Sequence, residues 1–225
     1  MGWHAVRLSS VEIALCSALV LGAGPIGLAV IQALVLRGAR HIIVSEPSAA
    51  KRKLATKFGA THVFDPRNHD IAAECCIVGE GEGVHVAFDC VGKQMTLDQA
   101  VSATGSGATV VNIAIWGGMA NISPNVFALT EKRFVGSSVY TEEDFREVVK
   151  AITSGEFPDD EIGTLPKRCM RANSRELTFA CAGSLRPADM ITSRVSLESV
   201  VEEGIQGCLI DGCEDHVKVL VDLSL

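Results

Sequence analysis

The chain has 225 residues, 48% hydrophobic and 21% charged, an ordinary globular composition rather than a disordered one. That length suffices for one substantial domain, or for one domain with a fragment of another. A net charge of −7 argues against a nucleic-acid surface, which needs clustered Lys and Arg, and no basic block offers a grip on an anionic membrane.

The chain opens on "MGWHAVRLSS", and from Ile13 to Ile31 no residue is charged, long enough to imitate a membrane span or, after Arg7, a secretory signal. Periodicity points elsewhere. "CSALVL" (Cys16–Leu21) has strand length, "GAGPIG" breaks it, and from Ile26 apolar residues recur at helical spacing until Gly38 closes the segment. "HIIVSE" (His41–Glu46) predicts a second strand, and "PSAAKRKLATKFGA" predicts an amphipathic helix ending at Gly59. The alternation continues with a strand at Thr61–Phe64, a helix at His69–Val78 and a strand at Val84–Cys90. A helix at Met95–Ala103 and a strand at Ala108–Ile115 follow. This cadence predicts an α/β fold of the Rossmann type, a doubly wound parallel sheet with helices on both faces. Strands buried on both faces must be apolar throughout, which explains the membrane-like run without a membrane.

Beyond Ile115 the rhythm loosens. A short strand is predicted near Phe134–Val139, then a helix capped by Thr141 with Asp144 three residues on and Gly155 at its end. Residues 190–225 read as strand, helix, strand. Between them, 163–189 shows neither period and holds five basic residues (Lys167, Arg168, Arg171, Arg175, Arg186) against Glu176 and Asp189. So long a structureless connection does not suit a compact domain, and it is expected to be a poorly ordered insertion. The expected divisions are therefore a helix within 1–15, a dinucleotide-binding domain at 16–162, the insertion at 163–189, and a closing unit at 190–225. Eight cysteines form no C-x-x-C and no zinc-finger spacing, so free thiols in a reducing cytoplasm are expected.

Gly22, Gly24 and Gly27 make the pattern G-x-G-x-x-G, with Pro25 and Ile26 between them, after a strand and opening a helix. The first glycine permits the tight turn, the second admits a pyrophosphate close to the backbone, and the third lets helix pack on strand. Amides at the helix start then face the anion. Glu46 ends the second strand 19 residues beyond Gly27, where a carboxylate accepts hydrogen bonds from ribose hydroxyls. A 2′-phosphate at roughly 4 Å from that charge meets about 4 kcal/mol of repulsion at an effective dielectric near 20, so NAD is favoured over NADP. Lys51 and Arg52 lie close enough in sequence to soften that preference. A methyltransferase reading fits the Pro25-containing turn less well, and a short-chain dehydrogenase fails because Asp144, not Lys, stands four residues after Tyr140.

"LVLGAGPIGL", "VSEPSAAKRKLATKFGATHVFDP", "GVHVAFDCVG", "VVNIAIW" and "ITSRVSLE" resemble the cofactor half of zinc-type medium-chain alcohol dehydrogenases, in the butanediol and sorbitol dehydrogenase branch. The resemblance implies that Glu46 holds the adenosine ribose with Lys51 beside it, and that Cys90, Val91 and Gly92 flank the adenosine. It further implies that Ile113, Ala114 and Ile115 with Ser138, Val139 and Tyr140 line the nicotinamide, and that Arg194 reaches the diphosphate. It implies a homodimer through Asn121–Leu129 by joined sheet edges. The family's catalytic zinc is held by Cys, His and Glu ligands in a preceding domain, and no such set is found in this sequence. His4, His41, His62, His69, His85 and His216 read as surface or strand-edge residues. The expectation is a dehydrogenase of NAD and a secondary alcohol or diol, present as its cofactor-binding part and inactive alone. A non-catalytic NAD(H)-binding module or partner subunit is the alternative.

Overall fold

The computed structural model describes residues 1–154 and 187–223. Six parallel strands form one sheet: β1 (Ser17–Leu21), β2 (His41–Ser45), β3 (His62–Phe64), β4 (Val84–Asp89), β5 (Thr104–Asn112) and β6 (Arg133–Gly136). Their spatial order is β3-β2-β1-β4-β5-β6, so the direction of winding reverses between β1 and β4. That reversal opens a crevice at the carboxyl ends of the two central strands, the place where doubly wound sheets bind ligands. All five residues of β1 are buried, with Ala18 facing Val86 on one side and Ile42 on the other. The uncharged run is therefore a central strand and the helix behind it.

The helices are α1 (Gly2–Leu8), α2 (Pro25–Leu36), α3 (Ala49–Lys57), α4 (Ile71–Val78), α5 (Gln94–Ala103), α6 (Pro124–Thr130) and α7 (Glu142–Ser154). One face of the sheet packs Val20, Val44, Val86 and Phe88 against Leu28, Ile31 and Leu34 of α2. The other packs Leu19, Leu21 and Ala87 against Ile71 and Cys75 of α4 and Leu97 and Ala100 of α5. α2 ends where predicted: Arg37 is the cap and Gly38 turns left-handed at φ +76°.

α1 is bound into this core. A side chain at Gly2 would meet the Ala29 backbone at 2.7 Å, so α1 lies directly on α2. Trp3 Nε1 donates to Glu147 Oε2 at 2.5 Å, and the Arg37 guanidinium lies 4.8 Å from the Trp3 ring centre. His4 pairs with Asp144 at 2.7 Å, so it is no surface histidine; Arg7 reaches the same carboxylate at 3.1 Å. The predicted capping of α7 is reciprocal, with Thr141 N and Oγ donating to Asp144 and Asp144 N donating to Thr141 Oγ at 3.2 Å.

Several boundaries differ from expectation. β5 begins earlier, at Thr104, and stops at Asn112, where the Asn112 amide donates to Ala114 O and accepts from Trp116 Nε1, closing a turn. Ile113–Ile115 thus lie beyond the strand. Within Asn121–Leu129, residues from Pro124 onward form α6 rather than an edge strand, because Pro124 presets the first helical turn; β6 is the sheet's edge. Of the expected insertion, 163–186 lies outside the described residues. Pro187–Met190 forms one 3-10 turn whose Asp189 meets Lys57 at 3.2 Å.

The closing unit has strands β7 (Ile191–Ser196) and β8 (Lys218–Asp222), paired in parallel and joined by a wide helix of π geometry, Val200–Asp211. No helix among the described residues is long and apolar enough to cross a membrane.

Candidate cofactor site

The glycine turn continues β1 directly. Gly22 has φ +89° and donates its N–H to Ser45 O at 2.8 Å, tying the turn to the end of β2. A Cβ on Gly27 would lie 1.9 Å from Gly22 O, so only glycine lets α2 close on the turn. A Cβ on Gly24 meets nothing within 4 Å. Gly24 caps α2, Pro25 follows as the first helical residue, Ile26 is half-buried, and no side chain caps the helix start. Open space above a helix N-terminus, with outward-facing amides and no competing carboxylate cap, fits a diphosphate.

Glu46 is buried beside this turn. Its Oε2 accepts from Ala23 N and its Oε1 from Ser48 N, both at 2.8 Å. The carboxylate is thus fixed to the glycine turn on one side and to the start of α3 on the other. Each oxygen keeps a further lone pair for a ligand hydroxyl. Pairing across 23 residues of sequence is what two parallel strands and the crossover helix between them accomplish.

The 90–92 loop joins the same crevice. Asp89, fully buried at the end of β4, accepts Val91 N at 3.0 Å and Gly92 N at 3.1 Å on Oδ1, while its Oδ2 has no hydrogen-bond partner among the described residues. Cys90 N donates to Leu21 O at 3.1 Å, and burial pushes the Cys90 thiol pKa up, which favours the neutral thiol. Val91 lies against Gly22, and Gly92, at φ +75°, lies against Ala114. Ile113 N and Ala114 N both donate to Asp89 O. The structure therefore brings Gly22, Val91, Gly92 and Ala114 together at the carboxyl ends of β1, β4 and β5. Ile113 points into the core, and Ile115 is 95% exposed.

Ser138, Val139 and Tyr140 follow β6 at the same end of the sheet, all exposed, with the Tyr140 ring stacked on Phe145 at 6.3 Å. Arg194 stands in β7 and pairs with Asp222 of β8 at 3.3 Å, so its guanidinium is engaged in the second sheet. Lys51 Nζ donates to Cys213 O at 2.7 Å, and Ser48 Oγ donates to Glu214 O at 2.6 Å. The turn after the wide helix therefore sits on the start of α3, beside Glu46.

Several of these groups carry weak sequence signals. Ser48 is the cap of α3, and a Ser before "AAK" could have shown it. Asp89 forms an Asx turn, for which Asp three residues before a glycine is the cue. The contacts of the Cys213 and Glu214 carbonyls with Lys51 and Ser48 left no local pattern. Among the described residues, no group of three or more His, Cys, Asp or Glu converges to hold a metal. The family's zinc does not fit the described residues.

A parallel sheet in this order, with an open glycine turn and an acid at the end of the second strand, defines a dinucleotide-binding domain. Residues 25–154 match the zinc-binding dehydrogenase family, and the chain belongs to that family. It is 34% identical over 223 residues to the (R,R)-butanediol dehydrogenase of Saccharomyces cerevisiae, covering 97% of this chain and 51% of that one. A crystal structure of the 2R,3R-butanediol dehydrogenase of Bacillus subtilis superimposes with a TM-score of 0.76 at 29% identity, over 98% of this chain and 54% of that one. A Sinorhizobium meliloti 1021 structure, described as a zinc-binding dehydrogenase bound to NADP, gives 0.72 at 26%, over 98% and 56%. The chain spans about half the length of the curated relatives it matches.

Proposed function

We propose that this chain is the cofactor-binding part of an NAD-dependent dehydrogenase acting on a secondary alcohol or vicinal diol. The observation that carries this is the buried Glu46 carboxylate, hydrogen-bonded to Ala23 within an open Gly22–Gly27 turn. The diphosphate lies over Gly24, and the adenosine ribose binds Glu46 with Lys51 beside it. Cys90, Val91 and Gly92 flank the adenosine, and the nicotinamide runs toward Ile113–Ile115 and Ser138–Tyr140. Arg194 approaches the diphosphate only by releasing Asp222. The diol class follows from the butanediol dehydrogenases that the chain resembles.

The 225 residues by themselves bind NAD(H) but oxidise alcohol very slowly. Hydride transfer needs the alkoxide charge offset, which the family's zinc supplies as a Lewis acid, and among the described residues no His, Cys, Asp or Glu group converges to hold a metal. Losing several kcal/mol of such assistance costs about a thousandfold or more in rate. The test follows NADH production from 2,3-butanediol and sorbitol, with zinc measured by mass spectrometry. Turnover near once per second would contradict this reading.

Two copies associate through Asn121–Leu129, where Ile122 and Leu129 are exposed. A monomeric mass by light scattering at tens of micromolar would contradict it. A non-catalytic NAD(H)-binding role remains the second reading, favoured by the same lack of a converging ligand set.

A further inference from the structure

A charge cluster borders Glu46 that cofactor binding as proposed leaves unused. Ser45 of β2 pairs with Phe64 of β3, and Glu46 N donates to Phe64 O at 3.0 Å, so Asp65 stands at the same end of the sheet as Glu46. Asp65 is buried, 8% exposed. It receives the Arg67 guanidinium as a fork, Nε on Oδ1 at 2.9 Å and Nη2 on Oδ2 at 2.7 Å, and Arg52 Nη1 lies 3.1 Å from Oδ2. Both arginines also donate to backbone carbonyls within Glu46–Pro47. Arg52 Nη1 reaches Glu46 O at 2.8 Å and Pro47 O at 2.6 Å, and Arg67 Nη2 reaches Pro47 O at 2.5 Å.

Two cations thus converge on the Glu46–Pro47 backbone, and one carboxylate holds both. A ribose bound on Glu46 places its 2′ oxygen within about 3 Å of that carboxylate. A phosphate on that oxygen projects toward the Glu46–Ser48 corner, where Arg52 and Arg67 are the adjacent positive charges. Guanidinium forks match phosphate as well as they match carboxylate, so Asp65 and a 2′-phosphate compete for the same donors.

We propose that Asp65 sets the cofactor selectivity of this site. By engaging Arg52 and Arg67 it keeps their donors on the Glu46 and Pro47 carbonyls, and the Glu46 charge then rejects the 2′-phosphate without opposition from those two guanidinium groups. Asp65 is a positioning residue and touches no cofactor atom itself. This rests on the dinucleotide reading of Gly22–Gly27 and Glu46.

The test measures NADH and NADPH dissociation constants by calorimetry for the whole chain, its Asp65→Asn variant, and Asp65→Asn combined with Arg67→Gln. Asp65→Asn is expected to hold NADH within about threefold of the unaltered chain and to tighten NADPH tenfold or more, with the second substitution abolishing that gain. A merely structural role would weaken both cofactors alike and leave their ratio unchanged, which would overturn the inference. Arg67→Gln alone, which leaves Asp65 paired with Arg52, keeps the test decisive should Asp65→Asn not fold. It is expected to bind NADPH no better than the unaltered chain, and tighter binding would overturn the proposal. An unaltered chain that binds neither cofactor would overturn the dinucleotide reading itself, a separate failure.

Discussion

Substituting Gly24 and Gly27 by alanine, one at a time, separates what the turn does for folding from what it does for binding. At Gly27 the new Cβ would stand 1.9 Å from Gly22 O and 2.9 Å from Gly22 C, both backbone atoms that no rotamer change can move aside. Overpacking of this kind costs typically 1–3 kcal/mol, and the backbone contact puts Gly27→Ala at about 3 kcal/mol or more. For a domain of this size that lowers the melting temperature by about 6–12 °C. At Gly24 the Cβ meets nothing, and φ −73° with ψ −173° is a conformation alanine adopts freely. Gly24→Ala is therefore neutral, or stabilising by about 0.4–1 kcal/mol through the entropy of the unfolded chain. If the diphosphate rests above Gly24, the same methyl intrudes on the ligand at about 1–3 kcal/mol, weakening NADH about 5-fold to 150-fold. Thermal melts and NADH calorimetry on both variants decide the matter. A Gly24→Ala protein that binds NADH as tightly as the unaltered chain would refute the placement of the diphosphate. A Gly27→Ala protein that melts normally would refute the packing argument.

Trp3→Ala is expected to cost about 3–5 kcal/mol in urea denaturation, since it empties a buried site and strips Glu147 and Arg37 of their contacts; a change under 1 kcal/mol would show that α1 is not integral to the fold. Burial pushes the thiols of Cys16 and Cys75 up to about 12, whereas Cys76 and Cys213 are exposed. Iodoacetamide at pH 8, mapped by mass spectrometry, should therefore modify Cys76 and Cys213 in the native protein, and Cys16 and Cys75 only after unfolding; rapid native labelling of Cys16 would contradict this. Burial opposes the charge on Asp144, but the Thr141 hydrogen bonds and the charges of Arg7 and His4 outweigh it and hold the carboxyl below its ordinary value of 3.8. Its folded value being depressed, its stabilising contribution is complete above that ordinary value and is lost as pH falls through the folded one. Asp144→Asn should accordingly be less stable than the unaltered chain at neutral pH, with the gap narrowing below pH 4; a constant gap would sink this account.

The glycine turn and Glu46 were legible because their chemistry is local: each glycine answers a backbone demand within six residues, and the acid falls at a strand end. The alternation of strand and helix was legible through β5 for the same reason, since burial on both faces writes itself as unbroken apolar runs. The errors arose where distant partners decide. β5 stops at Asn112 because that amide closes a turn over Ala114 and Trp116 while Asp89 O collects the next two amides, so "NIAI" looks like strand but leaves the sheet. Pro124 outweighs the extended look of "NISPNVFAL". His4 was misplaced because its partner Asp144 is 140 residues away. The contact of the Lys51 ammonium with Cys213 O was not legible either, because that carbonyl comes from the other end of the chain. The Asp65 cluster escaped notice because "DPR" resembles any polar turn until β2 and β3 set it beside Glu46.

The most direct measurement is a calorimetric titration of the chain and of its Glu46→Ala variant with NADH and with NADPH. The proposal that the buried Glu46 carboxylate holds the ribose hydroxyls predicts that the unaltered chain prefers NADH, by about thirtyfold if half of the 4 kcal/mol repulsion survives screening, and that Glu46→Ala weakens NADH and erases the preference. Equal or tighter binding of NADPH by the unaltered chain, or a Glu46→Ala variant with its preference intact, would contradict the assignment of this crevice.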